Sequence, residues 1–137
     1  MPLVDEASGR LTLGGGVSLQ RDMSKSRVIE LFTSLVGAKP NCDLSRDDLI
    51  LPFPAVDTAG GRLAPICQIQ GGRLRAVELW AYPAGKGDSR AMLLRLLMAK
   101  DPSPDTRGAV EISFPFGTAL LSCDPRTNRA TLLITYR

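Results

Sequence analysis

The chain has 137 residues, 44% of them hydrophobic and 23% charged, a balance that fits one soluble globular domain and excludes a disordered chain. Its 17 basic and 14 acidic residues leave a formal charge of +3, too small an excess to point to nucleic acid. There is no histidine, and Cys42, Cys67 and Cys123 lie far apart with no CxxC spacing, which argues against a disulfide framework, a zinc site and the commonest general base.

Residues 1–9 read as a flexible lead with no basic-then-apolar signal, and residues 10–137 as a single domain. No apolar run approaches the roughly 18 residues of a membrane span, so the expected setting is the cytoplasm, with no membrane partner. Leu11-Thr12-Leu13 and Val17-Ser18-Leu19 alternate apolar and polar residues around Gly14-Gly15-Gly16, the pattern of a β-hairpin. Lys25 to Val36 repeats apolar residues at helical spacing, with Asp22 or Ser24 to cap its start and Gly37 to stop it.

From Ile50 to Tyr82 the helical period vanishes and breakers accumulate. The expected elements are strands Ile50–Asp57, Ala64–Gln70 and Leu74–Tyr82, joined by two Gly-Gly-Arg turns, with the prolines placing the first strand at an edge or breaking it. Asp88-Ser89 caps a second helix from Arg90 to Ala99, with a stripe of Met92, Leu93, Leu96 and Leu97, and 102–105 reads as a short linker. The chain closes with Val110 to Ser122, continuing past Pro115, paired with Ala130–Tyr136 across a turn at 124–128. The order ββ-α-βββ-α-ββ with hairpin-length links predicts an α+β fold: an antiparallel sheet of about six to seven strands with two helices on one face.

Chemistry is hard to find in this pattern. The glycine triplet leads into a strand and lacks the following Lys-Ser or Lys-Thr of a phosphate loop. Ser24-Lys25-Ser26 has the wrong spacing for a serine–lysine nucleophile, and Asp47-Asp48 would face opposite sides of an extended chain. No catalytic residue, metal or cofactor is assigned.

Three sets of residues remain as binding candidates. Glu78 and Glu111 interrupt apolar strands, and either could pair with Arg75 in a ligand or small-enzyme pocket. Trp80 and Tyr82 share one strand face; large aromatics usually point into the core, but together they would make an interface if the helices covered the opposite face. Arg10, Arg62 and Arg73 each follow a turn glycine and could gather as an anion or weak nucleic-acid site.

The predicted architecture resembles that of small bacterial adaptors, secretion chaperones and toxin-neutralising immunity proteins, although many secretion chaperones end in a helix and tend to be acidic. The leading expectation is a non-catalytic domain that binds another protein, or a second copy, through a sheet face or edge. A carboxylate–arginine pocket and nucleic-acid binding stand as the alternatives.

Overall fold

A computed structural model describes residues 3–5, 7–14, 17–58, 60–85, 87–96, 109–124, 126–127 and 129–137. Among the described residues, ten strands and two helices follow in the order β1 (Leu3–Val4), β2 (Leu11–Gly14), β3 (Val17–Leu19), α1 (Lys25–Val36), β4 (Leu49–Pro52), β5 (Val56–Thr58), β6 (Gly61–Gln70), β7 (Arg73–Pro83), α2 (Ser89–Leu96), β8 (Val110–Phe114), β9 (Gly117–Asp124) and β10 (Arg129–Tyr136). The predicted α+β class is what forms, but the strands divide into a three-stranded sheet β1-β2-β3 and a seven-stranded sheet β4-β6-β7-β10-β9-β8, with β5 also pairing β6. All pairings are antiparallel.

The small sheet begins in the segment expected to be loose. Leu3 and Val4 pair with Thr12 and Leu11, because the Asp5 carboxylate accepts the Ala7 and Ser8 amides and turns the chain back on itself. Those amide bonds hold the Asp5 carboxyl below its usual range. The hairpin partner is as expected, Leu11 opposite Leu19, while 15 and 16 at its tip lie outside the described residues.

Caps explain why α1 has the predicted limits. Ser24 accepts the Arg27 amide, and Gly37 closes the helix at φ 81 with its own amide on the Thr33 carbonyl. In α2, the Asp88 carboxylate receives the Arg90 amide, and Met92 and Leu93 are buried as predicted; the expected continuation through 97–99, and the linker at 102–105, lie outside the described residues.

Two expected strands are each broken in two. The span Ile50–Asp57 splits into β4 and β5 along the sheet edge, with Pro54 in the unpaired gap between them. Val110–Ser122 does not run through Pro115: it folds back as the β8–β9 hairpin, with Phe114 opposite Gly117. Gly117 takes φ 154, a conformation in which an added Cβ would collide with the Thr135 carbonyl.

Strand alternation sorts the large sheet into two faces. Leu63, Cys67, Ile69, Val77, Leu79, Leu121, Leu132 and Ile134 point inward and are nearly inaccessible. Over them lie α2, which contacts β7, β9 and β10, and α1, whose Phe32 meets Phe53 edge-on at 5.4 Å. The small sheet completes the cover against β5 and α2. Each fully buried large aliphatic contributes about 1.5–3 kcal/mol.

Two buried hydrogen bonds tie the layers together. The Tyr136 hydroxyl donates to the Gly9 carbonyl at 2.9 Å, bridging the chain's last strand to its first hairpin. The Ala130 amide donates to the Ser89 hydroxyl at 2.8 Å, fixing the start of α2 on β10.

Removing the phenolic donor in Tyr136→Phe leaves the Gly9 carbonyl without it and should cost about 1–3 kcal/mol, read as a lower urea midpoint at unchanged slope. An unchanged midpoint would show that the small sheet docks without this bond. Burial also pushes the Cys67 thiol up to about 12, so at pH 8 it should resist a thiol reagent in the native protein while exposed Cys42 reacts at once. Mass mapping of labelled cysteines checks this; native-state labelling of Cys67 would contradict its burial.

Candidate functional site

Among the described residues no helix lies on the opposite face of the large sheet, and its composition can be read row by row across the strands. One row runs Pro52, Ile66, Glu78, Leu133, Leu120, Glu111, spanning β4, β6, β7, β10, β9 and β8. The next comprises Ala64, Trp80, Thr131 and Ser122. On the other side of the first lie Ile50, Gln68, Ala76, Thr135, Thr118 and Ser113. Ile50 is 67% exposed, while Ile66, Leu120 and Leu133 are half-buried.

Trp80 and Tyr82 therefore do not belong to the core, contrary to the expectation for large aromatics. Tyr82 is 41% exposed and Trp80 half-buried, because the alternation that sends Leu79 and Ala81 inward sends these two out. The Trp80 indole N–H donates to Glu78 at 2.8 Å, which fixes the ring on the sheet surface and gives the carboxylate a structural partner. Beside Trp80 is a cleft of about 270 Å³ lined also by Ser122, Asp124, Thr127, Arg129 and Thr131.

The face ends in charge. Arg62 stands opposite both Asp57 and Tyr82 and bonds Asp57 at 3.2 Å, and the Arg129 guanidinium lies over the Tyr82 ring at 5.6 Å. Arg129 in turn is opposite Asp124. Aromatic and aliphatic rows bounded by a rim of alternating charge have the anatomy of a protein interface.

The proposed carboxylate–arginine pocket does not assemble. The register between β6 and β7 slips between Gln68 and Ile69, so Arg75 is the extra residue of a bulge, and its Nη1 donates to Asp22 at 2.9 Å. Glu78 and Glu111 lie in one row but three strands apart, about 14 Å. Each is too far from the other to share a proton or a metal, and Arg75 is committed elsewhere. Among the described residues, no group of three or more Cys, Asp or Glu side chains is arranged to hold a metal ion.

The turn arginines divide. Arg62 belongs to the rim, whereas Arg10 and Arg73 line one cleft of about 320 Å³ together with Arg27, Ser18, Asp22 and Ser24. Arg27 carried no sequence signal beyond an exposed position on a helix. A third cleft, of about 470 Å³, lies at the β4 edge between Cys42, Asp48 and Gln70. There the Asp43 carboxyl is held below its usual range, chiefly by the Ser45 hydroxyl and then by its amide.

Among the described residues, no helix is long and apolar enough to cross a membrane. Comparison with known proteins returns no matching family model, no matching curated protein and no matching solved structure, so the geometry of this face and of the arginine cleft is what bears on function.

Proposed function

We propose that the chain is a non-catalytic protein-binding domain, of the bacterial adaptor, inhibitor or immunity-protein kind, acting in the cytoplasm through the outer face of its large sheet, opposite α1 and α2. The observation that carries this reading is the composition of that face among the described residues: Ile66, Trp80, Leu120 and Leu133 over four central strands, with Ile50 and Tyr82 exposed at either side. An apolar surface of this kind costs solubility unless something covers it at least part of the time. The cleft beside Trp80 is large enough for one bulky partner side chain, and a tryptophan flanked by a pocket is a favoured anchor for binding energy.

A second copy of the chain could use the same face, or a sheet edge at β8 or at β4 and β5. Catalysis finds less support, because Glu78 is tied to Trp80, Arg75 is tied to Asp22, and Glu111 lies three strands away.

The test uses the tagged full chain for affinity capture from the source cell, with sedimentation across a concentration series. Leu133→Glu places a charge in the middle of the face without touching the core, so its melting temperature should stay near that of the parent. The expected result is a stoichiometric partner, or self-association, that Leu133→Glu abolishes and Trp80→Ala weakens by about thirtyfold or more. Trp80 is the chain's single tryptophan, so its emission should shift to the blue as the complex forms. A monomer with no stoichiometric partner, or a partner retained equally by Leu133→Glu, would overturn the reading.

A further inference from the structure

The arginine cleft lies at the other end of β7. Arg73 is seven residues before Trp80, about 23 Å along the strand, so the cleft and the apolar face are separate places. Its three guanidiniums come from three elements: Arg10 at the start of β2, Arg27 in the first turn of α1 and Arg73 at the start of β7.

The backbone fixes α1 and β7 against one another. The Leu74 amide bonds the Met23 carbonyl at 2.8 Å, the Lys25 amide bonds the Gly72 carbonyl at 2.9 Å, and Ser24 bridges to Arg73. The side chains are then held by neutral acceptors. Arg10 Nε donates to the Ser18 hydroxyl at 3.0 Å, and Arg73 Nη1 donates to the Asp22 carbonyl at 3.3 Å.

Charge balance is what sets this cleft apart. Among the described residues neither Arg10 nor Arg73 forms an ion pair, although a carboxylate, Asp22, lines the same cleft. Asp22 is already engaged by Arg75 at 2.9 Å and Arg21 at 3.6 Å, and Arg27 has only the exposed Glu30. The wall of the cleft thus holds three arginines and one carboxylate, and a further carboxylate, exposed Asp5, acts on Arg10 from outside it. No acidic residue occupies the first turn of α1, where the helix field adds further positive potential. The helix end contributes only that field, since the Lys25 and Arg27 amides are bonded to Gly72 and Ser24.

We propose that this cleft binds a small phosphorylated molecule, with the phosphoryl group between Arg10 and Arg73 and completed by Arg27. Three planar guanidiniums from three directions match the three terminal oxygens of a phosphoryl group, whereas one carboxylate is satisfied by a single guanidinium. The Ser18 and Ser24 hydroxyls supply further polar contacts, and a cleft of about 320 Å³ holds a phosphate with a small organic group rather than a polymer.

The experiment titrates the full chain with glycerol phosphate and inorganic pyrophosphate, at constant ionic strength, following backbone amides by NMR. Saturable shifts should concentrate at Arg10, Ser18, Ser24, Arg27 and Arg73. Arg10→Gln and Arg73→Gln should each weaken binding by about tenfold or more, the value of a charge-assisted hydrogen bond. Arg10→Lys, which keeps the charge and loses the fork, should weaken it too and serves if Arg73→Gln does not fold. Arg62→Gln, at the rim of the other face, should change nothing. Absence of saturation, equal loss in Arg62→Gln, equally tight binding of acetate or citrate, or a preference for single-stranded oligonucleotides that grows with their length would each overturn the proposal.

Discussion

A seven-stranded antiparallel sheet has two faces, and among the described residues both helices and the three short strands of the small sheet lie over one of them. The inner face is apolar at almost every position, as burial requires. What needs explaining is the outer face, where a solvated sheet would place polar residues in every second position. Instead Ile66, Trp80, Leu120 and Leu133 occupy its centre around Glu78, which accepts the indole N–H, while Thr118, Thr135, Ser113 and Glu111 lie further out. Leu133 and Leu120 are direct neighbours across β10 and β9, and all four side chains are half-buried rather than covered.

Much of this was legible in the sequence because the signals were local. Ser24 and Gly37 set the limits of α1 by backbone geometry that depends on nothing distant, and Leu11 to Leu19 form their hairpin from alternation and a glycine turn. The break at Pro115 was less legible. Proline in a strand reads as an interruption, but Pro115-Phe116-Gly117 is a reversal, because the glycine after it can take the φ of 154 that brings Phe114 back beside it. The short strand at Leu3 and Val4 depends on the Asp5 carboxylate folding the chain towards Arg10, a polar contact that hydrophobic patterning does not register.

The faces themselves could not be read. Alternation says that Leu79 and Trp80 point oppositely, and nothing within the strand says which side the helices will take. Burying the two aromatics would have been the ordinary outcome. The chain instead buries Leu79, Leu132 and Ile134, whose shapes fit under α2, and leaves the indole outside with its N–H on Glu78. Arg27 was illegible for a related reason. Its neighbours in the cleft are seventeen and forty-six residues away, and they meet it only because the start of α1 is hydrogen-bonded to the start of β7.

Strand β7 therefore carries both surfaces, with Arg73 at its start and Trp80 and Tyr82 towards its end. Communication between them would need an element with two arrangements that the two ligands favour unequally. The strand offers little scope for one: it is paired on both sides along Ala76–Trp80 and buried on one face throughout. Its one irregularity, the bulge at Arg75, is pinned by Asp22, which also anchors Arg73 through its carbonyl. A rigid strand of this kind positions two sites without coupling them, so an anion at the arginine end would leave the affinity of the apolar face unchanged.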